Sequence, residues 1–238
     1  ADNVTNFEGI QFLVENPYWE GAKISLYSAG EESIASMPNI KVGKFITQVI
    51  LQNIEVEDID LSNATDLRSA WVQNNPALQK LDLSYSTIWG QGDKETEGNG
   101  TYGSSLMVLG CPILKEIKLP EKNELKAYRI DIECLDALET FDMSNVKMVA
   151  ELSIGDLNKD FNLVYPELTI FYSEDGYAGT YFACSENTFY RESTQAFLKA
   201  NYTDIDPDDT VRRLGYTSSL SYDKNKGCRW RTLLNKQK

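Results

Sequence analysis

The sequence predicts a β-rich solenoid of stacked short strands, with non-repeating caps at both ends. Two observations carry that prediction. An apolar residue followed by apolar residues three and five places on recurs from Val56 to Leu157, and its copies fall into two strictly alternating registers. The first reads VEDIDLSNA (56–64), LQKLDLSYS (78–86), LKEIKLPEK (114–122) and LETFDMSNV (138–146). The second reads LRSAWVQNN (67–75), LKAYRIDIE (125–133) and VAELSIGDL (149–157), with a degenerate member near Leu106 to Leu109. Neighbouring copies start about 11 residues apart, so a full unit is about 22 residues long. A unit this short cannot bury its apolar face alone, so successive units must stack into one continuous core.

Within each copy the fourth and sixth positions are apolar with a polar residue between, the period-two signature of a strand with one buried face. Ile59 and Leu61, Leu81 and Leu83, Ile117 and Leu119, and Phe141 and Met143 are therefore expected to point inward. Stacking then aligns the outward residues in columns: Asp60, Asp82, Lys118 and Asp142 at position five, and Asp58, Lys80, Glu116 and Thr140 at position three. Like charges on adjacent rungs repel, so Asp60 and Asp82 require Lys80 nearby, a bound cation or plain hydration. In the second register the same position five carries Trp71 and Arg129.

Residues that turn the chain precede most first-register copies: Asn53, Asn75-Pro76, Cys111-Pro112 and Tyr165-Pro166. With LDLS-like strands and NPxL turns, this Asn/Cys interchange resembles the leucine-rich-repeat surface proteins of Bacteroidetes. The resemblance covers roughly residues 46 to 172. It implies a leucine-rich-repeat solenoid of the right-handed β-α superhelix class with few helices, and adhesion or capture of a host protein or glycan. The chain departs from the pattern in the insertion after Ser86, in Pro120 where other copies have Ser62, Ser84 and Ser144, and in Leu135 where Asn or Cys is expected.

The expected organisation is an N-terminal cap over 1–45, the solenoid over 46–172 and a C-terminal cap over 173–238. In the first segment Ile10 to Val14 and Lys23 to Tyr27 read as short strands, with a loop or short helix from Gly30 to Pro38. FITQVIL (45–51) leads into the first clear coil. The polar, glycine-rich insertion at 87–105 can add nothing to a core, so it must project, and projecting loops often bind. Leu168 to Tyr172 reads as the last strand, and Phe189, Phe197 and Leu198 have helical spacing, which gives the C-terminal cap one helix.

Composition bounds function. In 238 residues 42% are apolar and 25% charged, the balance of a soluble globular chain. No apolar run reaches membrane-spanning length. A net charge of −13 argues against nucleic acid as a partner, although the tail is basic, with Lys224, Lys226, Arg229, Arg231, Lys236 and Lys238. There is no basic and apolar leader at Ala1-Asp2, so a secretory signal is expected to have been removed or never present.

With no histidine, Ser-His-Asp, Cys-His and His-ligated zinc sites are excluded. Gly98 to Gly103 matches the dinucleotide fingerprint literally but lacks the strand before it and the helix after it. Asp204, Asp206 and Asp208 have calcium-loop spacing, yet Asp209 stands at the glycine position and Gly215 at the glutamate position. Asp206-Pro207 reads as a helix cap instead. Carboxylates on a flat strand face offer no enclosed acid for glycoside hydrolysis. Asp209-Thr210-Val211 is similar to the short O-glycosylation sequon of Bacteroidetes exported proteins.

Cys111 and Cys134 could lie on adjacent rungs about 4.8 Å apart, as reduced thiols or as a disulfide, though they are one residue out of register. Cys184 and Cys228 could tie the C-terminal segment together, as suits an extracytoplasmic protein. The expected function is binding without catalysis, cofactor or metal, by a monomer that is secreted or held at the cell surface, with a protein or glycan as partner. The candidate ligand-binding residues are Trp71, Arg129, Trp89 and Tyr102, because exposed aromatics on a rigid frame anchor apolar surfaces and sugar faces. A purely structural domain of a larger surface protein is the alternative, and a glycan-active enzyme the second alternative.

Overall fold

The computed structural model describes residues 6–10, 12, 22–28, 34–87, 104–122, 124–155, 157–158, 160–169, 173–174, 177–178, 180–201 and 230–234. In chain order the strands are β1 (Ala22–Tyr27), β2 (Ala35–Ser36), β3 (Ile40–Lys41), β4 (Ile46–Gln52), β5 (Ile54–Glu55), β6 (Ile59–Asp60), β7 (Ser69–Gln73), β8 (Lys80–Asp82) and β9 (Ser105–Leu109). They continue as β10 (Glu116–Lys118), β11 (Leu125–Glu133), β12 (Thr140–Asp142), β13 (Val146–Gly155), β14 (Asn162–Val164), β15 (Ser173–Glu174), β16 (Tyr177–Ala178), β17 (Tyr181–Ser185) and β18 (Trp230–Leu234). The helices α1 (Glu186–Phe189) and α2 (Glu192–Asn201) follow β17.

The chain is β-rich and its main sheets are parallel. A long sheet runs β1-β4-β7-β9-β11-β13-β17-β18, parallel throughout except for the last pair, and a short parallel sheet runs β8-β10-β12-β14. From β7 to β14 the chain visits the two sheets alternately. Parallel pairing also joins β1 to β4, β2 to β5 and β3 to β6, upstream of the segment in which the sequence pattern is clearest. The trio Met37, Ile40 and Val42 and the trio Ile46, Val49 and Leu51 obey the same three-and-five spacing, and all six are buried.

In the first-register copies the first apolar residue precedes the short strand and the next two point inward, whereas Ile46, Ala127 and Val149 already lie within long strands. Val49, Ala70, Leu106, Ile130, Leu152 and Phe182 pair rung to rung, as do Leu51, Val72, Val108, Ile132 and Ile154. From the short sheet Leu81, Ile117, Phe141 and Leu163 join the same hydrophobic cluster. Each such side chain adds about 1.5–3 kcal/mol on burial.

The register of the third second-register copy differs from expectation. The inward trio is Ala127, Ile130 and Ile132, not one that begins at Leu125. Arg129 therefore pairs with Ser105, and it is Asp131 that shares a row with Met107 and Trp71.

The corner residues also fall into two columns where the sequence suggested one. At the ends of β4, β7, β9 and β11 sits a left-handed residue: Asn53 (φ 55°), Asn74 (φ 53°), Gly110 (φ 62°) and Cys134 (φ 52°). Asn and Gly tolerate that conformation; Cys134 adopts it without either advantage. Asn74 Nδ2 donates to Asn53 Oδ1 at 2.6 Å, and Asn53 Nδ2 to the Ser28 carbonyl at 3.3 Å.

The next residue turns inward, giving Ile54, Asn75, Cys111 and Leu135, all fully buried. Asn75 Oδ1 accepts from the Val56 N–H, whereas Cys111 Sγ donates to the Leu109 and Val72 carbonyls at 3.6 and 4.0 Å. Cys111, Cys134 and Cys184 are buried thiols, and no disulfide joins the first two. Burial pushes the Cys111 thiol up to about 12, so at pH 8 it should resist iodoacetamide in the native protein and react fully in denaturant. Native-state labelling at the rate of an exposed thiol, read by peptide mass spectrometry, would contradict the burial.

The Asp-x-Ser strand ends have a local role. Asp60, Asp82 and Asp142 each accept the N–H of the serine two residues on, at 2.8, 3.1 and 2.8 Å. Where the acceptor is replaced by Lys118 or Val164, the donor is replaced by Pro120 or Pro166, which has no N–H to satisfy.

The last strand of the short sheet is Asn162–Val164 rather than Leu168 to Tyr172; of that span Leu168 and Thr169 lie outside any strand, and 170–172 fall outside the described residues. Two helical segments stand where one was expected. Phe189, Phe197 and Leu198 are buried as their spacing predicts, and the Tyr165 ring stacks on Phe197 with centroids 4.5 Å apart. Arg191 donates to the Phe161, Leu157 and Asn158 carbonyls, fixing the start of α2 against the end of the short sheet.

Candidate functional site

The outward side of the long sheet presents three rows: Lys23, Gln48, Ser69, Ser105, Arg129 and Glu151; Ser25, Ile50, Trp71, Met107, Asp131 and Ser153; and Tyr27, Gln52, Gln73, Leu109 and Glu133. From β1 to β9 the second and third rows are uncharged, and the first carries Lys23 on the edge strand. Ile50, Trp71, Met107, Gln52 and Gln73 are half-buried, and Tyr27 on the edge strand is exposed.

Trp71 is thus outward and accessible, as its strand position predicted. Its Nε1–H donates to Gln73 Oε1 at 3.3 Å, and Gln52 Nε2 donates to the same oxygen at 2.6 Å. Because an indole N–H can only donate, the Gln73 atom facing it must be the oxygen, and the Gln52 atom facing that oxygen must be the amide nitrogen. The chemistry of the three groups therefore fixes both amide orientations.

Arg129 lies elsewhere. It belongs to the row of Ser69 and Ser105, with β9 between its strand and that of Trp71. Its guanidinium reaches Asp131 Oδ2 at 2.8 Å and Glu151 Oε2 at 3.5 Å, and the Tyr128 hydroxyl donates to Glu151 Oε1 at 3.5 Å. Asp131 is 2% exposed although its row points away from the core, and Glu133 is 1% exposed. Arg129 is thus committed to neighbouring carboxylates. Trp89 and Tyr102 lie outside the described residues, as do the glycine-rich motif at Gly98 to Gly103, the Asp204 to Asp208 cluster, the sequon at Asp209 and Cys228.

Burial raises the Asp131 carboxyl above its ordinary value, with Arg129 opposing the shift and Glu151 adding to it. As pH climbs past the unfolded value the unfolded chain loses this proton while the native chain keeps it, so stability falls until the raised native value is passed. Asp131→Asn removes that penalty. The stability difference between variant and native sequence should therefore move in the variant's favour from pH 4 to pH 7, as read by urea titrations at each pH. A difference independent of pH would refute the assignment.

The short-sheet face neutralises itself. Lys80 pairs with Asp82 at 3.1 Å and Glu116 at 3.5 Å, Lys118 with Glu116 at 3.3 Å, and Lys41 with Asp60 at 3.4 Å. The Ser62 hydroxyl and N–H hold the Asp60 carboxyl below its usual range. At Asp82 burial works the other way, but Ser84 and Lys80 together outweigh it and lower the pKa. Asp60 thus meets Lys41 and Asp82 meets Lys80, and these pairs supply the neutralisation the columns required. Among the described residues no cluster of three metal-ligating side chains occurs, and no helix is long and apolar enough to cross a membrane.

Sequence reading did not find Gln52 and Gln73. Their signal was available, since both close their strands 21 residues apart, but WVQNN reads as a strand running into a turn. No protein-family model matches the chain, and no curated protein or solved structure is significantly similar to it.

Proposed function

We propose that the chain is a leucine-rich-repeat solenoid that binds a protein or glycan partner outside the cell, through the outward face of its long sheet around Trp71, without catalysis. The alternation of the chain between two parallel sheets, with the same trio of inward residues at each pass, supports the solenoid reading. The surface location rests on the resemblance of the LDLS and NPxL motifs alone.

One observation carries the binding site: a half-buried outward tryptophan, held by its own hydrogen bond, with uncharged neighbours on both sides of its row, Ile50 and Met107. Such a ring loses little conformational freedom on binding and offers a large contact area. The reading is tested by glycan and extracellular-protein arrays with the native sequence and Trp71→Ala. The partner should bind the native sequence, and Trp71→Ala should weaken it by about 2 kcal/mol or more. Unchanged affinity removes Trp71 from the site, and silence on both arrays favours a structural role within a larger protein.

A further inference from the structure

We infer that the Trp71 face takes a neutral saccharide, with the Gln52–Gln73 amide pair gripping its hydroxyls; this rests on the binding face proposed above. The first observation is the orientation of the amides. With Gln73 Oε1 occupied by Trp71 Nε1–H and Gln52 Nε2, the groups left over are Gln73 Nε2, a donor, and Gln52 Oε1, an acceptor. Neither has a further hydrogen bond among the described residues. They stand on adjacent strands, about 4.8 Å apart from rung to rung.

A sugar diol fits such a pair, because one hydroxyl can accept from the Gln73 amide while its neighbour donates to the Gln52 carbonyl. The ring's apolar C–H face would then lie on the Trp71 indole, with Ile50 and Met107 on the flanking strands closing the platform. The amides need no reorganisation on binding, since the indole already fixes them.

The second observation is charge. The chain carries a net −13, yet from β1 to β9 the two rows through Trp71 and Gln73 hold no charged residue, and the remaining outward row carries charge only at Lys23, on the edge strand. Where the rows continue they turn acidic at Asp131 and Glu133. A basic partner would find its charge complement elsewhere, and an anionic glycan would find no cation on this face before Lys23 on the edge strand. A neutral polyhydroxylated ligand matches what remains.

The test uses isothermal titration of the full chain with cello-, xylo-, manno- and malto-oligosaccharides, oligogalacturonate as the anionic control, and the proteins of the extracellular array. The variants are Trp71→Ala, Trp71→Tyr and Gln73→Glu, each checked by circular dichroism. The expected result is binding of at least one neutral oligosaccharide, weakened at least tenfold by Trp71→Ala and by Gln73→Glu, and largely kept by Trp71→Tyr. Saccharide binding indifferent to Trp71→Ala and Gln73→Glu overturns the inference, as does preference for oligogalacturonate. Binding of proteins only, lost in Trp71→Ala, overturns the saccharide assignment while preserving the binding face. No Trp71-dependent binding of either class overturns both.

Discussion

Phe141→Ala is expected to lower the stability of the chain by about 3–5 kcal/mol, the usual range for deleting a fully buried ring. Phe141 has no exposed surface, and it sits in the column between Ile117 and Leu163. The cavity therefore opens on both neighbouring strands at once. Relaxation is restricted, because moving β12 toward the gap would break its parallel ladder to β14. Urea unfolding followed by circular dichroism should show a large fall in midpoint with little change in slope. Thr140→Ala, on the exposed side of the same strand, should stay within about 0.5 kcal/mol of the native sequence. A loss under about 1 kcal/mol for Phe141→Ala would mean that the column is not packed as described.

Phe141 was legible in the sequence for the same reason that it matters. An inward position obeys a spacing imposed by strand geometry, and only apolar side chains are tolerated there. Ile59, Leu81, Ile117 and Phe141 were all readable on that basis, and so was the outward position of Trp71. The template failed where two phases of it were satisfied together. Leu125, Tyr128 and Ile130 fit it, and so do Ala127, Ile130 and Ile132. The second phase wins because it sets Ile130 and Ile132 beside Leu152 and Ile154 and brings Cys134 to the left-handed turn. That slip of two residues moved Arg129 off the Trp71 row and put Asp131 on it, so the ion pairs of Arg129 could not be foreseen. The Gln52–Gln73 pair was missed for another reason: an outward amide obeys no burial rule, and its partner becomes visible only when rungs are paired.

The corner at Asn75 should be nearly as sensitive as the core, with Asn75→Ala costing about 3 kcal/mol. Asn75 is fully buried, and its Oδ1 accepts from the Val56, Ala77 and Leu78 N–H groups at 3.4, 3.0 and 3.1 Å. Ala77 is partly exposed and can turn to water. Val56 and Leu78 are buried, and each orphaned donor costs about 1–3 kcal/mol. The corners at Leu114 and Leu138 show why this one depends on its side chain. There the N–H is taken by the backbone carbonyl three residues earlier, of Cys111 and Leu135. At Leu78 it is the Asn75 side chain that accepts. Asn75→Leu, which imitates the Leu135 corner and fills the volume, should therefore recover only the packing and remain clearly destabilised. Full recovery by leucine would show that the backbone can re-form the Leu138-type turn on its own. It would also mean that the Asn75 side-chain acceptor is dispensable, leaving the left-handed residue just before it as the feature that sets the turn.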